Sequence, residues 1–487
     1  MAVGAAYPEG EALMGFERKP TVAAAPALVA MVACLGLAAP TAADTFKPTR
    51  FDDPAPGKCK PSDCSLREAF LAANALDGHD AIRLDRGRYR IQLPPDEGLG
   101  EDGMWWAYDV SIRGKGPGAT TLDGNEVDSV MQLGNFNESN RLQGVQVTGG
   151  SSSEPGAVGG IYATGTNVTV KDVVFADNHT TAGSGGGAVL APRVKLKLID
   201  SKVVKNSAVR GGGLFVGPGS AGITKATIRD STIRKNGSSL GGGVYSNVLE
   251  LTVLRTTIAG NESNEGGGFV LASYFNNLSN PPPSTAILSS TISGNTAIKG
   301  GGILADGNQP MAGGLLQVVT VQNSTVANNM ASADGGGIMA DNGVTMTIDN
   351  ATVAYNQANS DNVDLGLGGG VYQHSGASFT LEDSVIAANT LGQGGNGQQC
   401  AGAFTGSGGL VIQFQMGTAC SVSGSIAEPN DALIAPLADN GGPTKTVKLL
   451  SGSDAIAIAQ TCPPTDKRGK PRPEEDCDAG AFERKGL

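Results

Sequence analysis

The sequence is poor in aromatic residues and in histidine, and its net charge is negative. These features weigh against a broad aromatic core, a zinc site and a nucleic-acid-binding role. Aromatic residues make up 5% of the 487 positions, which fits a narrow core of small aliphatic side chains rather than a broad one. The three histidines, His79, His179 and His374, stand far apart, which weighs against a zinc site. The formal net charge of -11 disfavours a general nucleic-acid binder.

Glycine, in contrast, is abundant, and much of it recurs at regular intervals. The 72 glycines are roughly twice the usual ~7% of a chain and lack the triplet period of collagen. Between residues 159 and 391 one unit is repeated: a short strand, an asparagine, a spacer and a glycine cluster. The repeated asparagines are Asn178, Asn206, Asn236, Asn261, Asn295, Asn329, Asn356 and Asn389. Repeats of this length indicate stacked units, none of which can bury a core alone.

The residues before each asparagine alternate between two faces of a strand. The third residue before it is aliphatic or phenylalanine, as in Phe175, Ile233 and Ile292, and the fifth lies on the same face because strand residues two apart do so. The asparagine suits a tight turn with left-handed φ, and stacked amides can hydrogen-bond along a ladder. The glycines allow sharp corners. The predicted fold class is all-β, a parallel β-helix.

The first 43 residues have the pattern of an export signal. Arg18-Lys19 precedes an apolar run from Thr21 to Ala39, and small residues lead to Asp44. This pattern predicts a signal peptide at 1–43. We therefore expect no membrane span after its removal, and an extracellular or cell-surface location, with the periplasm as the alternative.

Six cysteines remain after that segment, in three close pairs. The pairs are Cys59 with Cys64, Cys400 with Cys420, and Cys462 with Cys477. An even number in an exported chain predicts disulfides. The sequence leaves their connectivity open, although local pairing is the simplest arrangement. Metal binding is the weaker alternative, because no pair has zinc-finger spacing.

One helix is predicted, between Asp63 and Asn74, with Ser62 or Asp63 as its N-cap. Its apolar residues fall on one face, and the open end of a β-helix exposes strand edges that invite aggregation. We therefore expect the helix to cover the N-terminal end of the fold. Strands are expected at 81–84, 89–93 and 110–113. The adjacent Trp105 and Trp106 are placed at the edge of a loop, where packing is favoured over stacking on a sugar ring.

Motifs at both ends of the sequence resemble known families. Cys64-Ser-Leu-Arg-Glu-Ala69, with Asp80-Ala-Ile-Arg-Leu84 behind it, resembles the CSLREA domain that opens many exported bacterial β-helix proteins. Leu437-Ala-Asp-Asn-Gly-Gly-Pro-Thr444 and Cys477-Asp-Ala-Gly-Ala-Phe-Glu483 resemble the choice-of-anchor Q domain. The repeats between them resemble the pectin-lyase-like superfamily and polymorphic outer-membrane proteins. These resemblances imply a right-handed β-helix and export, but no particular reaction.

The features above predict four parts. They are a signal peptide (1–43), an N-terminal cap with the first rungs (44–158, CSLREA-like), the β-helix repeats (159–391), and C-terminal rungs with a choice-of-anchor Q-like cap (392–487). Relatives often carry a sorting tail after the Gly-Ala-Phe-Glu motif, and the sequence shows none before Leu487. How the protein is attached to a surface, if it is, stays open.

Basic residues are concentrated in one part of the repeats. From Arg193 to Arg255 there are eleven Lys or Arg against three acids. Aligning the units by their asparagines places stacked cations about 4.8 Å apart, with Lys195 over Lys225. The candidate basic ligand-binding residues are Lys195, Lys205, Lys225, Arg229, Arg234, Lys235 and Arg255. An acidic polysaccharide would neutralise such a patch; the simpler interpretation is a solvated lysine-rich edge that blocks strand pairing.

A second column stands six residues before the asparagines. It contains Asp172, Asp200 and Asp230, followed by Arg255. Stacked carboxylates can hold Ca²⁺ or supply the two acids of a glycosidase, and in lyases of the superfamily that the repeats resemble, Lys or Arg takes the proton beside a uronate carboxyl. No catalytic motif of the pectin hydrolases matches, and Asp or Asn recurs at this position as a turn former. The turn role is favoured, and the catalytic residues stay unassigned.

Two functional hypotheses follow. The favoured one is a monomeric, non-enzymatic surface or secreted protein that binds extracellular or envelope glycans, with no cofactor. The alternative is a polysaccharide lyase or glycoside hydrolase acting on an acidic polysaccharide, in which Ca²⁺ can take part.

Overall fold

The computed structural model describes most of the chain after the predicted signal peptide. The described ranges are 43–93, 103–134, 139–153, 158–165, 167–181, 185–192, 194–217, 225–273, 282–307, 317–363, 366–392, 398–413, 420–424, 426–427 and 431–484. The predicted signal peptide at 1–43 lies outside these ranges except for its last residue. Residues 42–487 form one compact unit.

The strands form three rows of parallel stacked strands, and each strand pairs with its equivalent in the next repeat. The long row contains Thr45–Phe46, Asp80–Arg83, Val110–Arg113, Ser139–Thr148, Asn167–Ala176, Lys195–Ile199, Lys225–Arg229, Glu250–Leu254, Ser284–Leu288, Gln317–Gln322, Val344–Asp349, Ser378–Glu382, Cys400–Ser407 and Cys420–Ser423. The short row contains Gly87–Arg90, Thr120–Asp123, Lys202–Val204, Thr232–Arg234, Thr257–Ala259, Thr291–Ser293, Thr325–Ala327, Thr352–Ala354, Val385–Ala387, Leu410–Ile412 and Ile426–Ala427, and the two ten-residue strands of the long row continue into it.

The third row lies beyond the glycine clusters. It contains Trp105–Ala107, Met131–Leu133, Ile161–Ala163, Val189–Pro192, Leu214–Gly217, Val244–Ser246, Phe269–Ala272, Ile303–Asp306, Ile338–Ala340 and Val371–Gln373. Short ladders follow the asparagines at Ser151–Ser152, His179–Thr180, Thr296–Ala297, Met330–Ala331, Gln357–Ala358 and Thr390–Leu391. The predicted parallel β-helix is therefore confirmed.

The core is one continuous column of aliphatic side chains inside the three rows. Ile233 pairs in register with Ile258, which pairs with Ile292, and all three are fully buried. Each such side chain contributes roughly 1.5–3 kcal/mol of stability on burial. The column runs from Leu66 to Ile412.

The repeated asparagines form a buried hydrogen-bonded ladder, as predicted. The Nδ2 of each donates to the Oδ1 of the next, at 3.0 Å from Asn206 to Asn236 and 2.9 Å from Asn236 to Asn261. The same Oδ1 also accepts the backbone N–H of the preceding asparagine, and the Nδ2 also donates to a carbonyl of the preceding rung, as from Asn236 to Val203. The ladder ends where Asn389 donates to Gln399.

A second ladder, of hydroxyl groups, lies five residues before the asparagines. The backbone N–H of Ser201 donates to the Oγ of Ser231 at 3.1 Å, and that of Thr256 donates to the Oγ of Ser290 at 3.1 Å. The sequence pattern placed this column on the inner face but did not reveal its bonding. Most rungs are thus joined to the next by polar side chains at two buried positions, and the hydroxyl ladder is interrupted at Ala351.

The turn at the asparagines differs from the prediction in one detail. The ladder asparagines are not the residues with left-handed φ; the residue immediately before each of them is, as at Lys205 (φ 56°), Lys235 (φ 55°) and Asn328 (φ 57°). The asparagine amide is needed inside, because it bonds along the axis. The left-handed residue outside provides the corner, and any side chain there points away from the core.

The glycine clusters form a corner with no room for side chains. Gly241, the first of its cluster, has φ 68°. A Cβ on Gly243 would lie 2.7 Å from the carbonyl oxygen of Gly268 in the next rung. The clusters are therefore required by the close approach of successive rungs.

The N-terminal helix is shorter than predicted. It spans Leu66–Asn74, and its N-cap is Ser65, which forms a capping box with Glu68, rather than Ser62 or Asp63. Leu66, Phe70 and Ala73 join the core beneath it. Among the described residues no helix is long and apolar enough to cross a membrane.

The first strands are shifted slightly from their predicted bounds. They are Asp80–Arg83 and Gly87–Arg90, whereas Val110–Arg113 matches. Trp105 lies in a strand of the third row rather than at a loop edge, where it is fully buried and packs 6.4 Å, centre to centre, from the Phe70 ring. Its neighbour Trp106 is half-buried.

The three predicted cysteine pairs are confirmed as disulfides. They join Cys59 to Cys64, Cys400 to Cys420, and Cys462 to Cys477. All three are local, so none links distant rungs.

The C-terminal segment, residues 431–484, lies along the outside of the short row. The buried carboxylate of Asp383 accepts hydrogen bonds from the backbone of Gly409, Gln460 and Thr461. Lys467 is fully buried and donates to the Thr291 hydroxyl, and burial lowers its pKa well below the usual value. The segment therefore covers the flank of the C-terminal rungs.

We expect Asn236→Ala to destabilise the β-helix by roughly 3 kcal/mol, because it leaves the buried N–H of Asn206 without its acceptor and removes the bond between the two ladder amides. Chemical denaturation followed by circular dichroism measures the change. Arg234→Ala, an exposed position on the same rung, is the control and should stay within about 0.5 kcal/mol of wild type. Equal effects of the two substitutions would contradict a stabilising ladder.

Candidate functional site

The outward positions of the long row are where the charged side chains of the repeats lie. In the strand Lys195–Ile199, Leu196 and Leu198 are buried, whereas Lys195 and Lys197 are exposed. Pairing in register then stacks the outward residues of successive strands. Lys195 lies next to Lys225, as the alignment by asparagines predicts.

Eight cations project from six consecutive strands of this row, and we call this surface the basic face. Its residues are Arg83, Arg113, Arg141, Lys171, Lys195, Lys197, Lys225 and Arg229. Before the corner that follows the long row, the other outward positions of these strands are Ala, Ser, Gln, Asn, Thr or Ile. Asp172, an exposed residue of the strand Asn167–Ala176, lies at that corner. The first acid on this face is Glu250, which pairs with Lys225. In the strands from Ser284 onward the outward side chains that the structure describes carry no base.

The structure divides the basic residues predicted from the sequence among different surfaces. Lys195, Lys225 and Arg229 lie on the basic face. The others lie at the corner that follows the long row or beyond it: Arg255 at the corner, Arg234 on the short row, and Lys205 and Lys235 at the corner before the asparagines. The predicted patch is therefore not one surface.

The predicted acidic column is a column of corner residues. Asp172, Asp200, Asp230 and Arg255 have φ between 46° and 54°. The same position carries Ser289, Asn323, Asn350 and Asp383 farther along, all with left-handed φ. Asp and Asn tolerate this conformation better than other non-glycine residues. The turn role favoured from the sequence agrees with this geometry.

Asp230 is paired with arginines rather than with another acid. It receives hydrogen bonds from Arg255 at 2.6 and 2.9 Å and from Arg229 at 2.8 Å. The hydrogen bonds from Arg255 lower the pKa of Asp230, and the same contact raises the pKa of Arg255. A general acid needs a raised pKa, so the lowered pKa of Asp230 suits a charged partner of the arginines rather than a proton donor.

Another acid of the column also lies beside a cation. Asp200 lies 3.6 Å from the ammonium of Lys171 on the preceding rung. In the described ranges no group of three or more His, Cys, Asp or Glu side chains has the arrangement of a metal site, so the structure adds no support to the Ca²⁺ alternative.

Sequence analysis did not identify the N-terminal part of the basic face. Arg83, Arg113 and Arg141 precede the first repeated asparagine, so counting from the asparagines did not reach them. The usable signal was strand alternation: Arg83 and Arg113 each end a strand of similar pattern, and they pair in register. Lys171 was named in neither candidate column, although it links the arginines to the lysines.

Comparison with protein families establishes the handedness of the fold. Residues 159–353 match the family model for a right handed beta helix region. The solenoid is a right-handed parallel β-helix. No curated protein matches the chain in sequence.

Solved structures with similar architecture include carbohydrate-active enzymes. A pectate lyase aligns with 92% of this chain and 98% of its own, at 14% identity and a TM-score of 0.44. The A-module of mannuronan C-5 epimerase from Azotobacter vinelandii aligns with 77% of this chain and 93% of its own, at 13% identity and a TM-score of 0.38. An α-1,3-glucanase of Streptomyces thermodiastaticus aligns at 14% identity and 0.36, over 75% and 66% of the two chains. We draw no inference about activity from these likenesses.

The pairing of Asp230 predicts a pH-dependent contribution to stability. Because its pKa is lowered in the folded protein, the contribution is complete above the usual carboxyl pKa and is lost as the pH falls through the folded value. We expect the difference in Tm between wild type and Asp230→Asn to be constant between about pH 7 and pH 5 and to shrink below about pH 4.

The control is Asp172→Asn, at the equivalent corner of an earlier rung. Among the described residues Asp172 has no ion-pair partner, so its substitution should give no comparable acid-dependent change. A Tm difference for Asp230→Asn that stays unchanged at low pH would contradict the assignment of the Arg255 pair as its cause.

Proposed function

We propose that this protein is exported and that its basic face binds acidic glycans of the cell envelope or the extracellular medium, without catalysis. The observation that carries the proposal is the column of eight outward cations on six adjacent strands. Before the left-handed corner that holds Asp172, Asp200 and Asp230, the described outward positions of these strands carry no acid. At about 4.8 Å per strand this face is roughly 24 Å long. An extended polyanion lying along the axis meets a cation on every rung.

The pairing of the strands weakens the simpler interpretation of a lysine-rich edge. Lysines protect a strand edge when that edge lacks a partner. The strand Lys195–Ile199 is paired on both sides, with Asn167–Ala176 and with Lys225–Arg229. The cations are therefore not required to prevent strand addition. Stacking like charges one strand apart is itself unfavourable, and a bound polyanion removes that cost.

The environment of the corner residues favours binding over catalysis. A lyase that uses arginine as the base needs a guanidinium that loses its proton readily, whereas the contact with Asp230 raises the pKa of Arg255. Asp230, the acid beside it, has a lowered pKa. Neither Asp230 nor Arg255 therefore has the acidity that a polysaccharide lyase or glycoside hydrolase would need from it.

Retention on immobilised alginate, pectate and heparin, compared with neutral dextran, tests the proposal. We expect retention on the acidic polymers that falls as salt is added, because exposed charges are screened. The triple variant Lys195→Glu, Lys197→Glu, Lys225→Glu should weaken the affinity by at least about tenfold. No unsaturated uronate ends and no new reducing ends should form, with or without Ca²⁺.

A matched variant separates the basic face from overall charge. Lys202→Glu, Arg234→Glu, Lys235→Glu changes the net charge equally, but on the short row and its corner. We expect this control to bind nearly as wild type does. Equal losses of affinity in the two triple variants would mean that the polymer is held only by non-specific attraction to the overall charge. Cleavage of the polymer by the wild-type protein would favour the enzymatic alternative.

Export is tested by the mature N terminus. The predicted signal at 1–43 and the three disulfides support an oxidising destination. We expect mass spectrometry of the protein recovered from its producing cells to show a chain that begins at Asp44 with all six cysteines oxidised. A cytosolic protein that retains residues 1–43 would contradict export.

A further inference from the structure

Three arginines surround a shallow pocket at the N-terminal end of the basic face. Arg83 and Arg113 pair in register on adjacent strands, and Arg141 extends from the next strand, beside Ser111. The pocket has a volume of about 290 Å³, and its polar lining consists of these arginines with Ser111 and Gln143. All three arginines are exposed.

The neutral side chains of the pocket are held by hydrogen bonds. Arg141 donates from Nη2 to Oε1 of Gln143 at 2.8 Å. The Oγ of Ser111 lies 2.7 Å from Nε2 of His79, whose Nδ1 lies 2.8 Å from Asp109. Both contacts hold a polar group at the rim beside the guanidinium groups.

Among the residues that the structure describes, no carboxylate pairs with the arginines of the pocket. Within the described ranges Arg83, Arg113 and Arg141 form no ion pair, and the lining contains no acid. The two nearby acids are engaged elsewhere: Asp85 lies 2.9 Å from Lys47 and 3.8 Å from Lys115, and Asp109 contacts His79. Three positive charges thus face one small volume of solvent, an arrangement that like-charge repulsion disfavours unless an anion occupies it.

The type of cation distinguishes this end of the basic face from the rest. The next four cations along the axis, up to Lys225, are lysines, which act as point charges suited to a diffuse polyanion. The cations of the pocket are all arginines, whose planar guanidinium groups donate paired hydrogen bonds to an oxyanion. A single carboxylate neutralises one of the three charges, whereas a phosphomonoester carries nearly two charges and three acceptor oxygens at neutral pH.

We propose that the pocket formed by Arg83, Arg113 and Arg141 is a discrete binding site for a phosphomonoester group. The same anionic phosphate oxygens are supplied either by the phosphomonoester of a phosphorylated glycan sugar or by free inorganic phosphate. Ser111 and Gln143 add neutral polar contacts beside the arginines. This site is separate from polymer retention along the lysines, and each can fail without the other.

Isothermal titration calorimetry with inorganic phosphate, mannose 6-phosphate, sulfate and galacturonate tests the site at constant ionic strength. We expect both phosphate compounds to bind at least about tenfold more tightly than galacturonate, because their charge and acceptor number match three guanidinium groups better than one carboxylate does. Sulfate, which is also a tetrahedral dianion, should bind with an affinity similar to that of phosphate. Tighter binding of mannose 6-phosphate than of inorganic phosphate identifies the ligand as a phosphorylated glycan. Equal affinities of the two compounds identify it as free phosphate. Equal binding of phosphate and galacturonate, or no binding of phosphate, overturns the proposal.

Two substitutions link the affinity to these residues. Arg113→Lys keeps the charge but removes the paired donors, and we expect it to weaken phosphate binding by about tenfold. Lys195→Gln, on the same face outside the pocket, should leave phosphate binding unchanged while reducing retention on acidic polymers. Phosphate affinity that Arg113→Lys does not alter, in a variant whose circular dichroism matches wild type, overturns the assignment. Loss of polymer retention with intact phosphate binding contradicts only the broader function.

Discussion

The hydrogen-bonded asparagine ladder is the constraint on which the rest of the structure depends. Each buried amide both donates to and accepts from the neighbouring rung, so a rung that slips out of register leaves amide groups unsatisfied in the core, at about 1–3 kcal/mol each. The hydroxyl ladder adds a second register point on most rungs. Loops of different length can therefore be inserted between rungs without changing how the strands align.

Exact stacking converts a pattern in sequence into columns on the surface. A side chain at one outward position of a repeat lies one strand spacing from its equivalent in the next repeat. Cations that are 25 to 30 residues apart in the chain, such as Lys195 and Lys225, become neighbours. The basic face arises in this way, and it ends where Glu250 pairs with Lys225. The fold itself is compatible with many functions, and the proposed function depends on the charges of the basic face.

Elements outside the repeat pattern cover the N-terminal end of the repeat region and the flank of its C-terminal rungs. The capped helix at Leu66–Asn74 places Phe70 and Ala73 against the first rungs. At the other end, segment 431–484 is fixed along the flank by the buried carboxylate of Asp383, which accepts backbone hydrogen bonds from Gln460 and Thr461. These contacts leave the basic face of the N-terminal rungs on a different surface from the C-terminal segment.

Local periodicity was sufficient to predict the strands, their inner faces, the asparagine ladder and the pairing of Lys195 with Lys225. The reason is that a β-helix stacks each repeat on the next. The sequence by itself therefore determined the fold class and the core. Only the tertiary structure decided which charges share a surface. Left-handed corners turn the chain between rows, so Lys225 and Lys235 face different directions, while Arg83 and Arg113, outside the asparagine pattern, join the lysines through strand pairing alone.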